Sequence, residues 1–222
     1  MNIILLGPPG IGKGTQADTL AAKLRIHKIC TGDIMREEAK KGSLLGKKVK
    51  AYMDRGELVP DAIVISIMKK RLSRNDCKRG FILDGIPRTT AQAKALEKTA
   101  RIDLVINLTA PENEIIERIT GRLTCRYCGE IYHVKFARPK KHGACDKCSG
   151  ELYRREDQKE AIVRKRLEEY DKKTRPLIEY YRKKKLLFNV DASGSKDGVA
   201  KRIWKVIDAF TKKSIKKRGR EL

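Results

Sequence analysis

The stretch Asn2-Ile3-Ile4-Leu5-Leu6-Gly7-Pro8-Pro9-Gly10-Ile11-Gly12-Lys13-Gly14-Thr15 decides the fold. The apolar run to Leu6 reads as a buried strand, which the glycines break into a turn that opens a helix at Lys13. In that geometry successive backbone N–H groups and the positive end of the helix converge on one point, where a polyphosphate can sit. Lys13 adds a mobile point charge for the outer phosphates. The general phosphate-loop pattern places Ser or Thr directly after the lysine to hold magnesium; here Gly14 stands there and Thr15 follows. The metal is therefore expected to be held mainly by phosphates and water.

Working outward, short apolar segments alternate with longer helical ones, the pattern of a parallel sheet covered by helices. Strands are expected at Asn2–Leu6, Lys28–Cys30, Phe81–Asp84, Asp103–Leu108 and Leu186–Val190. Helices follow from Lys13, Thr89, Glu112 and Asp197, and a long one runs from Lys159 to Lys184 with a kink at Pro176. Two stretches interrupt the alternation. Thr31 to Arg74 reads as helical almost throughout, a flap whose inserted part is set at residues 30–59. Residues 122–158 hold four cysteines, Pro139 and several glycines, a small cross-linked insertion. The core is then 1–29, 60–121 and 159–222. Ligands in such sheets bind beyond the carboxyl ends of the strands, where both insertions would hang.

Gly80-Phe81-Ile82-Leu83-Asp84-Gly85-Ile86-Pro87-Arg88-Thr89 carries the second signal. Asp84 would emerge at the carboxyl edge beside the phosphate loop, placed for a water-mediated hold on magnesium, with Arg88 aimed over the sheet. Cys125-x2-Cys128 and Cys145-x2-Cys148, sixteen residues apart, match a four-thiolate zinc site. Four thiolates leave no open position, so that metal is expected to be structural. His133 and His142 read as lid surface or nucleotide contacts, and Cys30 and Cys77 as buried, unreactive thiols.

The composition sets outer bounds. The chain has 222 residues, 40% hydrophobic and 36% charged, with 52 Lys and Arg against 28 Asp and Glu, a net charge of +24. No apolar run approaches the roughly 18 residues that a membrane-spanning helix needs, and the chain opens on a strand without a signal-peptide pattern, so a soluble cytoplasmic protein is expected. The charge exceeds what a nucleotide cleft requires, and weak, non-specific attraction to nucleic acid would fit the surplus. Thr211 to Leu222, rich in Lys and Arg, reads as a frayed, solvated end.

The phosphate loop, Thr31-Gly32-Asp33-Ile34-Met35-Arg36, the turn from Asp84 to Arg88, Gly121-Arg122 and Val163-Arg164-Lys165-Arg166-Leu167 together resemble the adenylate kinase family, in its long-lid form with a metal-binding lid. The resemblance spans residues 1 to about 200, and the order Lys13-Gly14-Thr15 is normal within that family. It implies a phosphate-loop kinase with a five-stranded parallel sheet, a helical AMP-binding insertion and a small zinc-bound lid. The implied reaction is reversible phosphate transfer from ATP to AMP, giving two ADP, with Mg2+ accompanying ATP and a monomeric chain.

The same resemblance implies roles. Gly10, Ile11, Gly12, Lys13, Gly14 and Thr15 would hold the ATP phosphates, joined by Arg118. Arg122 and the pair Ile131-Tyr132 would come over ATP from the lid, and the base would rest near Lys196. Thr31, Arg36, Glu57, Leu58, Val59, Gly85, Ile86, Pro87, Arg88 and Gln92 would form the AMP site. Within it Arg36 and Arg88 grip the phosphate, while Thr31 and Gln92 lie near adenine. Lys13, Asp84, Arg88, Arg122, Arg155 and Arg166 would carry the catalysis, Arg155 and Arg166 also reaching AMP. Two positions depart from the family pattern: Gln158 replaces a second aspartate after Asp157, leaving Asp157 as the expected arginine partner, and Ile86 replaces an aromatic residue. A kinase for UMP or CMP is the near alternative, and a zinc-ribbon nucleic-acid-binding protein the distant one. The latter leaves the phosphate loop, Asp84 and Arg88 unexplained.

Overall fold

The computed structural model describes residues 1–218, with side chains through Lys212. Strand β1 (Asn2–Leu6) passes through the glycine turn into α1 (Lys13–Leu24), and the chain returns as β2 (His27–Cys30). Three helices follow, α2 (Thr31–Lys40), α3 (Leu44–Asp54) and α4 (Asp61–Leu72); the first two pack together as the flap and α4 returns to the core. Then come β3 (Phe81–Asp84), α5 (Thr90–Glu97), β4 (Leu104–Thr109) and α6 (Glu112–Thr120). The lid contributes β5 (Arg122–Cys125), β6 (Ile131–His133) and β7 (Leu152–Tyr153). The chain closes with α7 (Glu160–Glu169), α8 (Pro176–Lys183), β8 (Leu187–Asp191) and α9 (Lys196–Arg218).

The core sheet is parallel, in the order β2-β3-β1-β4-β8. Because side chains alternate along a strand, β1 feeds two cores. Ile3 and Leu5 pack with Leu20, Ile106 and Ile203 on one face; Ile4 and Leu6 pack with Leu83, Val105 and Tyr181 on the other. A strand buried on both faces explains the unbroken apolar run at the start of the chain. Expected strands and helices are present, with β2, β4, β8 and α9 displaced by one residue. Thr89 is the cap of α5 rather than its first residue, its hydroxyl accepting from the Gln92 N–H at 3.2 Å.

Three features differ from the sequence reading. The lid has a sheet of its own, antiparallel in the order β6-β5-β7, around a small core of Cys125, Tyr132, Cys145 and Leu152. The long helix does not simply kink at Pro176; it widens into a π turn at Tyr170–Thr174, where the Arg175 N–H bonds the Tyr170 carbonyl at 2.8 Å. Pro176 has no N–H to continue the ladder and restarts it as the first residue of α8. Finally, α9 runs on through Thr211 to Arg218, so the basic tail is helical over that span instead of frayed. Arg220 and Glu221 lie outside the described residues. No helix among the described residues is long and apolar enough to cross a membrane.

Candidate active site

The phosphate loop joins β1 to α1 at the carboxyl edge of the sheet. Gly10 takes φ +80°, and a Cβ there would stand 2.1 Å from Ile119 Cγ1, so only glycine lets the loop lie flat on α6. Gly12, the residue before α1, has a left-handed conformation and offers its bare backbone. The Lys13 ammonium folds back onto its own loop, donating to the carbonyls of Gly7 and Pro8, both at 2.8 Å. Burial lowers its pKa to about 8, against the attraction of Asp84.

Asp84 ends β3 directly beside this loop. A Cβ on Gly14 would lie 3.2 Å from Asp84 Oδ2, which gives a physical reason for glycine where the general pattern has Ser or Thr. The Asp84 side chain is buried, and its carboxylate has no ion pair or hydrogen bond among the described residues. Its backbone carbonyl accepts from Thr31 Oγ1 at 3.1 Å. A carboxylate with cations nearby but no direct ion pair, next to a polyphosphate cradle, suits a hydrated divalent ion arriving with the nucleotide.

Over this floor hang arginines from separate elements. Arg88, after β3, is fixed through Nε to the Gly85 carbonyl at 2.8 Å. Arg122 comes from the root of the lid and Arg166 from α7. Enclosure by the cleft lowers all three from the ordinary arginine range, Arg122 and Arg166 to about 10. Asp157 binds Arg155 Nε at 2.9 Å and Arg166 Nη1 at 3.0 Å. Burial opposes ionisation of Asp157, but Arg155 and Arg166 outweigh it and hold the carboxyl below its usual range. Asp157 is thus the arginine partner that the sequence suggested. Gln158 makes a neutral contact, accepting from the Arg155 N–H at 3.2 Å.

Two cavities open onto this cluster, and Arg36, Arg88 and Arg166 line both. The smaller lies under the flap, among Thr31, Glu57, Leu58, Val59, Gly85 and Gln92. Gln92 is buried, its Oε1 accepting from the Arg88 N–H at 2.8 Å and its Nε2 donating to Asp61 at 2.7 Å. One amide hydrogen and one lone pair of Gln92 remain. Asp61 also accepts from Thr89 Oγ1 at 2.9 Å, a positioning role that the sequence reading missed. Pro87 lines the larger cavity, whereas the Ile86 side chain is 2% exposed, packs in the core and lines neither cavity.

The larger cavity runs between the phosphate loop and the lid. Arg118 reaches the Ile11 and Gly194 carbonyls at 3.3 and 3.1 Å, and the Lys196 carbonyl accepts from Gln16 at 3.0 Å. Ile131 and Tyr132 both line this space, Ile131 exposed and Tyr132 largely buried. The Tyr132 ring packs in the lid core, its hydroxyl accepting from the Asp146 N–H at 2.8 Å. His133 is also buried, so it is not lid surface, and it lines the larger cavity. Its Nδ1 accepts from the N–H groups of Lys135 and Phe136, so Nε2 carries the proton and donates to the Glu117 carbonyl at 3.1 Å. Cys30 lines the cleft as well, and burial together with Asp84 pushes its thiol up to about 12. Cys30 is half-buried rather than buried as the sequence suggested.

The four lid sulfurs lie within 4.8 Å of one another, with Cys125–Cys148 at 3.4 Å and Cys128–Cys145 at 3.6 Å. Tetrahedral zinc with bonds of about 2.3 Å needs sulfurs about 3.8 Å apart, so the cluster fits such an ion. Burial opposes the Cys145 thiolate, but hydrogen bonds from the Tyr132 hydroxyl and backbone N–H groups pull it down to about 6.

A phosphate loop, two cavities and a shared set of arginines define an enzyme that moves a phosphoryl group between two nucleotides. The family model described as adenylate kinase matches residues 5–186. The adenylate kinase of Archaeoglobus fulgidus is 54% identical over 218 residues, covering 96% of this chain and 99% of that protein. Those of Thermodesulfovibrio yellowstonii and Methanococcoides burtonii are 50% and 47% identical, over 94% and 95% of this chain and 99% and 100% of theirs. The chain belongs to the adenylate kinase family. Its reaction interconverts ATP and AMP with two ADP, and neither a UMP or CMP kinase nor a zinc-ribbon nucleic-acid-binding protein is supported.

Proposed function

We propose that the two cavities divide the reaction between them, the larger holding ATP and the smaller AMP, with transfer at the arginines common to both. The observation that carries this reading is the sharing of Arg36, Arg88 and Arg166 by the two cavity walls. Gly10 to Thr15 and Arg118 cradle the ATP phosphates, and Lys13 leaves its own loop to follow the transferred group. Arg36 and Arg88 hold the AMP phosphate. Arg122, Arg155 and Arg166 close on the equatorial oxygens, where charge spreads in the transition state. Asp84 would help hold a Mg2+ arriving with ATP, and that ion would supply neutralisation of phosphate charge. With little covalent work to do, the chain acts by aligning donor and acceptor and excluding water.

The free amide hydrogen and lone pair of Gln92 match the acceptor N1 and donor N6 of adenine, and Thr31 lies beside them. Ile131 and the Lys196 backbone border the ATP base. The core, flap and lid units follow the boundaries read from the sequence. Zn2+ on Cys125, Cys128, Cys145 and Cys148 has a structural role, because four thiolates leave no place for substrate. A reducing, cytoplasmic setting suits that many thiolates, and the chain works as a monomer because all proposed groups come from one copy.

A coupled assay across AMP, UMP and CMP, repeated with Arg88→Lys, tests the assignment. AMP is preferred by more than about a hundredfold in kcat/KM, on the order of 3 kcal/mol. Arg88→Lys loses about a hundredfold in kcat, since a point charge cannot replace the planar fork. Equal turnover of UMP, or a near-normal kcat in the variant, overturns it.

A further inference from the structure

All five core strands point the same way, so the segments that lead into them gather at one edge, opposite the phosphate loop. Four of these segments carry exposed cations: Arg25 before β2, Lys78 and Arg79 before β3, Lys98 before β4, and Lys183 and Lys185 before β8. None of these six side chains is in an ion pair or hydrogen bond among the described residues. The nearby acids are already taken: Asp76 by Arg71 at 2.9 Å, Glu97 by Lys184 at 3.1 Å and Asp103 by Arg101 at 3.4 Å. Six cations therefore stand at this rim without a local counter-charge among the described residues.

Helix α9 extends the same surface. Lys23, in the last turn of α1, lies 3.8 Å over the Trp204 ring, so α9 passes the amino edge near that residue. From Trp204 it continues to Arg218, about 21 Å at 1.5 Å per residue.

We propose that this rim binds the phosphate backbone of duplex nucleic acid without reading its sequence, while the cleft stays open. Strands about 4.8 Å apart give the rim a width of about 19 Å. Duplex DNA carries one charge per roughly 1.7 Å, so the rim faces on the order of ten phosphates, about half of them on the near side. Six unpaired cations suit that number. The large exposed apolar side chains, Leu44, Leu45, Tyr127, Ile131, Val134, Phe136 and Phe188, stand on the flap, the lid and within β8 rather than at the rim. The aromatic rings near this edge, Trp204 and Tyr180, lie beneath Lys23 and Lys184, so backbone contact to a duplex is favoured over bilayer insertion or stacking of unpaired bases.

Fluorescence anisotropy of a labelled 20-base-pair duplex, titrated with the full chain from 50 to 200 mM salt, tests the proposal. The variant Lys78→Gln, Arg79→Gln, Lys98→Gln, Lys183→Gln should bind at least about tenfold more weakly, with the salt slope shallower by about 3 to 4. Its ATP-to-AMP transfer should be unchanged, which also reports an intact fold. Replacing Lys78, Lys98 and Lys183 by Arg should preserve binding. Three results overturn the proposal: neutralised and native chains binding alike, displacement of the duplex by saturating ATP and AMP, or binding to phosphatidylserine vesicles with none to the duplex at equal salt.

Discussion

His133 in the lid donates from Nε2 to the carbonyl oxygen of Glu117 in α6, 3.1 Å away, across the bare side of Gly121. The contact ties the lid to the core at its root. A Cβ on residue 121 would stand 2.4 Å from that nitrogen, although the Gly121 backbone itself is ordinary, at φ −84°. Gly121→Ala should therefore push the imidazole out and release the Lys135 and Phe136 N–H groups from Nδ1. Lost contacts of about 1–3 kcal/mol should speed amide exchange in β6 by tenfold or more and raise KM for ATP, with exchange in β1 and β4 unchanged. Hydrogen-exchange mass spectrometry reads all three strands at once.

Asp157 is the hub of the lid-side arginines, and Asp157→Asn should cost both activity and stability. Arg155 and Arg166 would keep their charge and lose its partner, destabilising the native state by about 1–3 kcal/mol at neutral pH. Because the folded pKa of Asp157 is lowered, its contribution is full above the ordinary carboxylate pKa of about 3.9 and fades as pH falls through the lower folded value. Urea unfolding of the two proteins should accordingly converge in acid. In turnover, misplacement of Arg155 and Arg166 should lower kcat by ten- to a hundredfold.

Lys13, at about 8 without nucleotide, should make ATP binding depend on pH. Its folded pKa lies below the ordinary 10.5, so the cost of burying the charge is complete below pH 8 and relieved between 8 and 10.5. A triphosphate favours the ammonium and reverses that shift. ATP affinity should hold steady below pH 8 and fall above it by up to about tenfold per unit, with proton uptake on binding. Calorimetry in buffers of different ionisation heat measures the uptake, which Lys13→Met should abolish.

Removing one lid sulfur should separate the lid from the core. Native protein should contain one tightly held zinc per chain, and Cys145→Ser should lose it. The lid core of Cys125, Tyr132, Cys145 and Leu152 is too small to persist alone, whereas the parallel sheet keeps its two cores. Thermal unfolding of the variant should show an early step confined to lid signals, with transfer lost through failure to close. A native chain free of metal would contradict the assignment.

The parts of this site legible in the sequence are those whose partners lie close along the chain. Gly7 to Thr15 and Asp84 to Arg88 are each a strand, a turn and a charged residue, and each stands where the pattern put it. The paired cysteines are similar, since two tight turns suffice to aim four sulfurs. The anchoring of Tyr132 and His133 was not legible, because their polar atoms are held from other elements, Tyr132 by Asp146 and His133 by Glu117. Asp61 escaped notice because its significance depends on Gln92 and Thr89, some thirty residues away. The π turn was likewise hidden: a proline foretells a disturbed helix, but the packing around it selects the form, and here Thr174 donates to the Arg88 carbonyl at 2.9 Å.

The antiparallel pairing of β5 with β7 places Thr124 opposite Tyr153, so the chain enters and leaves the lid through neighbouring strands. The lid is consequently a cassette on two adjacent stems, with Arg122 and Arg155 rooted in the stems rather than in the cassette. Between Cys125 and Leu152 the cassette can be lengthened, shortened or exchanged provided those stems keep their spacing and the strand bearing Ile131 and His133 is retained. A graft that replaced the thiolate cluster by a self-supporting apolar hairpin would leave both arginines in place, freeing the enzyme from its metal without redesigning its chemistry.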